Sequence, residues 1–358
     1  MSRISKIHFP SLNGLRFIAV LLVIVAHIET IKHALGHDSY YKTVKGLGNV
    51  GVWLFFVLSG FLITYLLLKE KEQTNNINLK NFYIRRFLRI YPLYIMGVLL
   101  SFFIFPFIIK INIWESLNNN FVTKLSLFIA ILPNVAVAMY GTLDFVNHFW
   151  SIGVEWQFYM LWGYTVKFFE KYLLLILTLI IIAVLGVRTL LGFSSNPILA
   201  FLYRFFSLFE IECMLIGSFG ACLLNKKAKI LSLIYNKYIQ IITYLLLFIG
   251  LIFQFHIKLI SNIYYSILFM AIILNMAANP DSIINLKNNI LDYLGKISYG
   301  VYVYHMIAIL LVVKMSKSNA ITYLLVVFAT TLIASISYYL YEKKFLELKR
   351  QYALISSG

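Results

Sequence analysis

Acidic side chains are scarce in this chain: 14 Asp and Glu stand against 31 Lys and Arg in 358 residues, and charged residues of both signs make up only 13%. A water-soluble domain of this length would lack the polar surface to cover itself. Cysteine is scarcer still. Cys213 and Cys222, the two present, lie nine residues apart in one apolar stretch and so on opposite faces of a helix, which excludes a disulfide or a shared metal between them. No Cys/His spacing suits zinc, no glycine-rich loop ends in Lys-Ser or Lys-Thr, and no repeat is visible. No metal and no permanently bound cofactor is expected.

What the chain has in excess is apolar sequence, 61% of its residues. Stretches long enough to cross a hydrocarbon core of about 30 Å recur from end to end, roughly at 12–31, 47–68, 90–110, 125–140, 148–168, 172–192, 205–224, 238–255, 259–278, 297–314 and 320–341. These eleven segments predict an all-α, polytopic transmembrane helix bundle forming a single membrane domain over 1–358, with no fused soluble domain. The first segment is long, is interrupted by Arg16 and is followed by no small-x-small site, so it is not read as a cleaved signal.

Basic residues mark the cytoplasmic side. They cluster at Arg3 and Lys6, between Lys69 and Arg89, between Lys226 and Lys237, and from Lys343 to Arg350. Eleven full crossings cannot place all four clusters on one side. If the short, proline-broken segment 125–140 does not cross fully, ten spans remain and both termini are cytoplasmic. The formal charge of +17 is then an inner-leaflet signal that would also serve an anionic cytoplasmic ligand. Lipid bilayer is expected as a partner and nucleic acid is not.

Ionisable groups inside spans are costly, so they mark where function resides. In "SLNGLRFIAVLLVIVAHIE", Arg16 and His27 are eleven residues apart, three turns plus about 20°, and project from one face about 16 Å apart. A snorkelling arginine and a hydrogen-bonded core histidine would explain them equally well. In "HFWSIGVEWQFYMLW", His148, Ser151, Glu155, Tyr159 and Trp162 form one polar and aromatic stripe, with Gln157 beside it. Glu155 therefore faces protein, either as a working carboxylate or as a buried partner of Arg16 or Arg89. In "LGKISYGVYVYHMI", Ser298, Tyr302 and His305 share a face; a lone histidine there is most simply a satisfied core residue. Arg85, Arg86 and Arg89 in "LKNFYIRRFLRIYPLY" suit lipid headgroups or, more sharply, a phosphate clamp. Ser59-Gly60 in "FFVLSGFLI" reads as a close helix contact.

Taken in order, these segments resemble the acyltransferase-3 family of bacterial integral membrane acyltransferases of surface glycans. The first span is similar to the family's "DGLRGIAALLVVLFH" in Gly14, Leu15, Arg16, Ile18, Ala19 and His27; "HFWSIGVEWQFYMLW" is similar to its "HLWSLSVEEQFYLLW"; "LGKISYGVYVYHMI" and "YYLYEKKF" are similar to its closing blocks. The likeness runs from about residue 11 to 346. The family's aspartate before Gly-Leu-Arg is Asn13 here, its second glutamate is Trp156, and Lys344 stands where a proline follows the closing glutamate.

The resemblance implies a multi-pass enzyme of the bacterial plasma (inner) membrane that moves an acyl group, most often acetyl, from cytoplasmic acyl-CoA to a sugar hydroxyl. The acceptor would be a glycan or lipid-linked sugar such as a lipopolysaccharide O-antigen, a capsule repeat or a teichoic acid. Such chemistry needs a base, oxyanion stabilisation and a grip on the CoA phosphates. These roles are assigned to His27 as base, to Arg16, Glu155 and Tyr159 as catalytic residues that would orient the acceptor or the imidazole, and to Arg85, Arg86 and Arg89 as the phosphate grip. His148, Ser151, Gln157 and His305 would orient substrate. A proton-coupled transporter is the competing class, since buried His, Glu and Arg also suit a carrier; the absence of paired broken helices in corresponding halves and of a repeat argues against it.

Overall fold

A computed structural model describes residues 5–7, 9–109, 120–141, 146–192, 196–257, 260–315, 319–353 and 355–357. The strands among these are a three-residue parallel pair, β1 (Ser5–Ile7) with β2 (Ile355–Ser357), which ties the two ends of the chain together. Everything else is helix or connection, a polytopic transmembrane helix bundle as expected.

Eight helical stretches are long and apolar enough to cross a bilayer by length and composition. They begin with α1 (Pro10–Ala34), α2 (Leu47–Thr74) and α3 (Leu79–Leu99), the last running on to Phe107 through a π-helical turn. The stretch Asn147–Gly192 has 46 residues, about 70 Å at 1.5 Å per residue and more than twice the hydrocarbon core. It divides where Phe169 leaves helical geometry (φ −120°, ψ 24°) into α6 (Trp150–Phe169) and α7 (Leu173–Gly192). A further apolar helix, α10 (Lys237–Ile252), is 16 residues long. Counting it and both halves of the divided stretch as crossings is compatible with ten.

The segment around 125–140 consists of two short helices, α4 (Phe121–Ile129) and α5 (Pro133–Tyr140). Ile131, at φ 59°, turns the chain between them. Nine residues rise about 14 Å, so neither helix crosses alone.

The expected continuous span over 205–224 is instead two helices, α8 (Pro197–Leu208) and α9 (Ile211–Asn225), broken at Phe209 and Glu210. Composition marks the place, since Glu210 and Glu212 interrupt the apolar run there, but it does not show that the backbone opens. Arg188 on α7 supports the opened backbone: its Nε donates to the Phe206 carbonyl at 3.1 Å and its Nη1 to Glu212 at 2.6 Å. Backbone opened within a membrane needs such a partner, since no water replaces the lost bonds.

Two contacts position the site. At the crossing of α2 and α9, a Cβ on Gly60 would lie 1.9 Å from the Met214 carbonyl, and one on Gly217 would lie 2.1 Å from that of Val57. Only glycine admits this approach, as the reading of Ser59-Gly60 expected. The final long pair is α11 (Asn289–Met315) and α12 (Asn319–Ser337), of which α11 packs along α1. There Gly295 meets the Asn13 backbone, where a Cβ would come within 2.2 Å of its carbonyl. Both cysteines are buried and free.

Candidate active site

A cavity of about 100 Å³ lies where α1, α2, α3, α6 and α11 converge. Arg16, Arg86 and Arg89 line it together with Ser59, Ser151, Glu155, Tyr159 and Tyr302. Helical spacing explains the set: Ser151, Glu155 and Tyr159 are successive turns of the stripe on α6, and Arg86 and Arg89 are one turn apart on α3.

The arginines differ sharply in how they are engaged. Arg85 Nη2 makes an ion pair with Glu70 at 2.8 Å and its Nη1 donates to the Tyr352 carbonyl at 2.7 Å. It does not line the cavity, so of the three arginines expected to act together only Arg86 and Arg89 share it, with Arg16 beside them. Arg16 Nη1 donates to Asn13 Oδ1 at 3.0 Å, and Asn13 Nδ2 donates onward to Asp292 at 2.7 Å. Arg86 stacks over the Tyr159 ring, 5.5 Å from its centre, and its buried Nε has no hydrogen-bond partner. Among the described residues Arg16, Arg86 and Arg89 have no carboxylate within ion-pair distance. Three cationic forks thus keep donors for an anion in the cavity.

Glu155 accepts from Ser59 and from Tyr159, the latter at 2.5 Å. The anticipated ion pair with Arg16 or Arg89 is not formed among the described residues. Nor does Glu155 hydrogen-bond to His27, which corrects the expectation that this carboxylate orients the imidazole. The hydroxyls of α2 and α6 claim it first. Ser59 was legible only as a small residue beside Gly60; nothing in the sequence linked it to Glu155.

At His27 the partner is another imidazole. His27 Nδ1 and His305 Nε2 are 2.8 Å apart, and His305 Nδ1 is 2.6 Å from the Tyr302 carbonyl oxygen. His305 is fully buried, while His27 retains some exposure. His148 packs edge-on against His305, ring centres 4.8 Å apart, and its ring nitrogens have no side-chain partner among the described residues. Tyr302 connects this cluster to the cavity: its hydroxyl donates to the His148 carbonyl at 2.6 Å and accepts from Ser151 at 2.7 Å. The core role read for His305 holds for its burial, and the structure adds the contact with His27, 278 residues away in the chain.

Gln157 is elsewhere. It exchanges two hydrogen bonds with Asn134 on α5, at 2.8 and 3.1 Å, clamping α5 to α6. The substrate-orienting role expected for it is replaced by a structural one, because position 157 lies off the stripe. Trp162 likewise serves packing, donating to Thr64 at 2.7 Å. Among the described residues no group of three or more His, Cys, Asp or Glu is arranged to hold a metal ion.

Comparison with known proteins adds a family. One described as an acyltransferase domain matches residues 9–340. The peptidoglycan O-acetyltransferase OatA of Listeria monocytogenes is 35% identical over 176 residues, 48% of this chain and 26% of the relative. The O-acetyltransferase OatA of Staphylococcus aureus is 31% identical over 166 residues, 45% of this chain and 25% of the relative. An uncharacterised protein of Haemophilus influenzae is 34% identical over 212 residues, 54% of this chain and 84% of its own length. The matched region thus spans about a quarter of each OatA relative. No solved structure matches.

Proposed function

The chain belongs to the acyltransferase family whose domain matches residues 9–340, and on that premise we propose that it is a multi-pass plasma-membrane O-acyltransferase. In this reading it takes an acyl group, most simply acetyl, from acyl-CoA supplied on the cytoplasmic side. The acceptor is a hydroxyl of a surface or lipid-linked glycan, with peptidoglycan among the choices because a relative is named for it and lipopolysaccharide or capsule sugars as the others.

The observation that carries the proposal is the convergence of Arg16, Arg86 and Arg89 on one cavity, whose lining carboxylate, Glu155, is engaged by Ser59 and Tyr159 and forms an ion pair with none of them among the described residues. Guanidinium forks bind phosphate oxygens in bidentate fashion, and the CoA moiety is rich in phosphate. The donor's phosphates would rest on these arginines with the thioester arm directed along the cavity toward Tyr302 and the histidines beyond it. Ser59, Glu155 and Tyr159 form the polar wall past which that arm runs.

The reaction then needs one proton relay. The sugar oxygen attacks the thioester carbonyl while His27 takes its proton; the C–O bond forms and the carbonyl electrons move to oxygen. Collapse of that oxyanion breaks the C–S bond, and the thiolate leaves with the proton returned by the imidazolium. CoA thiol and an O-acyl sugar result. An acyl-imidazole on the way would use the same histidine as nucleophile.

Incubating the purified chain in lipid nanodiscs with labelled acetyl-CoA tests the proposal. Transfer to a glycan, or acetyl-CoA hydrolysis that depends on His27, supports it. Uptake of a solute into liposomes with no acyl chemistry would replace it with the carrier reading.

A further inference from the structure

From the pairing of two histidines we infer that His305 is a positioning residue that fixes which nitrogen of His27 reacts, making Nε2 of His27 the proton-accepting atom. The inference rests on the reading of His27 as the base and adds the atom and its means of control.

The argument follows hydrogens from a group whose role is fixed. A backbone carbonyl only accepts, so the 2.6 Å contact between the Tyr302 oxygen and His305 Nδ1 requires a hydrogen on that nitrogen. The opposite assignment would press two lone pairs together at that distance. His305 is fully buried, and among the described residues no carboxylate lies within ion-pair distance of it. A doubly protonated ring there would be an uncompensated buried charge, which is very costly. A neutral ring with hydrogen on Nδ1 has a bare Nε2.

That bare Nε2 sits 2.8 Å from His27 Nδ1, and the contact is a hydrogen bond only if His27 supplies the hydrogen. His27 therefore carries its own hydrogen on Nδ1 and leaves Nε2 with a free lone pair. The ring is part-exposed, so this nitrogen is the one free to meet a hydroxyl. When Nε2 takes a proton, the Nδ1 hydrogen stays in place and its bond to His305 becomes charge-assisted, hence stronger. The role commonly given to a carboxylate behind a catalytic imidazole is filled here by a neutral ring anchored to backbone.

Tyr302 adds a reason for the arrangement. Its carbonyl holds His305 and its hydroxyl lies at the cavity wall against Ser151 and the His148 carbonyl. One residue of α11 thus sets both the orientation of the dyad and the inner boundary of the donor cavity.

The test uses the full chain, labelled with nitrogen-15 histidine and reconstituted in nanodiscs, with His27→Asn to identify the His27 signals. Solid-state NMR should show His27 protonated on Nδ1 and bare on Nε2. His305→Leu should convert His27 to the Nε2-protonated form and lower kcat with acetyl-CoA by about a hundredfold or more, leaving the donor KM unchanged. His305→Gln, whose carbonyl oxygen can accept from His27 while its amide donates to Tyr302, should retain the tautomer and most of the turnover. Nε2-protonated His27 in the unaltered chain would overturn the inference, as would a His305→Leu chain that keeps both tautomer and turnover. The expected nitrogen pattern in a chain that turns over no acyl-CoA would sink the acyltransferase reading and support the histidine pairing.

Discussion

Arg85 and Glu70 are joined by an ion pair of 2.8 Å with both side chains largely buried, whereas Arg86, the next residue, turns into the cavity with its Nε unpartnered. Adjacent arginines on one helix thus do different things, and kinetics should separate them. Arg86→Ala and Arg89→Ala are expected to raise the KM for acyl-CoA by about tenfold to a hundredfold, the value of one charge-assisted hydrogen-bonded contact, with kcat little changed. Arg85→Ala should instead strand Glu70 and reduce the amount of folded protein, read by detergent size-exclusion, while the KM of what remains is unaltered. Equal KM effects at 85 and 86 would argue against a donor site built on Arg86.

His27→Ala should abolish acyl transfer while the protein inserts and elutes as a single species, because the ring is part-exposed and its removal leaves His305 still bonded to the Tyr302 carbonyl. Product analysis of the modified glycan by mass spectrometry reads the outcome. Normal product from the variant would remove His27 from the mechanism.

Glu155→Gln keeps the size of the side chain and an oxygen that can still accept from Ser59 and Tyr159, and removes only the charge. Turnover is expected to fall by about a hundredfold with donor binding intact. Failure of that variant to accumulate, or unimpaired turnover, would assign the carboxylate to structure alone.

Topology is open to labelling. Lys42, Lys80 and Lys229 are all exposed, and the ten-span arrangement puts the first outside and the other two inside. Cysteines introduced at these positions, in a chain with Cys213 and Cys222 replaced, should react with an impermeant reagent added to intact cells at 42 and not at 80 or 229. Strong labelling at 229 would refute the ten-span count.

Gly217→Leu should prevent α2 and α9 from closing, since even a Cβ at 217 comes within 2.1 Å of the Val57 carbonyl. The cost exceeds the roughly 1–3 kcal/mol of ordinary overpacking because backbone on both sides must move. Loss of the folded species by thermal-shift measurement is the expected result; a fully stable variant would contradict the close crossing.

Apolar runs made the helical bundle legible, because bilayer thickness imposes span length directly on sequence. The stripe His148, Ser151, Glu155, Tyr159 was legible for a related reason: helical periodicity places residues on a face without knowledge of what the face meets. What that face meets was not legible. Arg85 and Glu70 are separated by a turn between two helices, Gln157 and Asn134 lie on different helices, and His27 and His305 are separated by most of the protein. The break at Phe209 and Glu210 escaped although Glu210 and Glu212 interrupt the apolar run, because the arginine that supports the opened backbone comes from a different helix.

The contact between Arg16 and Asn13 carries an electrical consequence. Asn13 anchors the guanidinium at 3.0 Å through an amide oxygen and passes its own hydrogen to Asp292 at 2.7 Å, while Lys296 pairs with that aspartate at 2.5 Å. An uncharged spacer therefore stands between the cation and Asp292, so the side chain is held in place by an amide rather than by an ion pair. With an aspartate at position 13 the same contact would be an ion pair, and part of the guanidinium charge would be balanced within α1 itself.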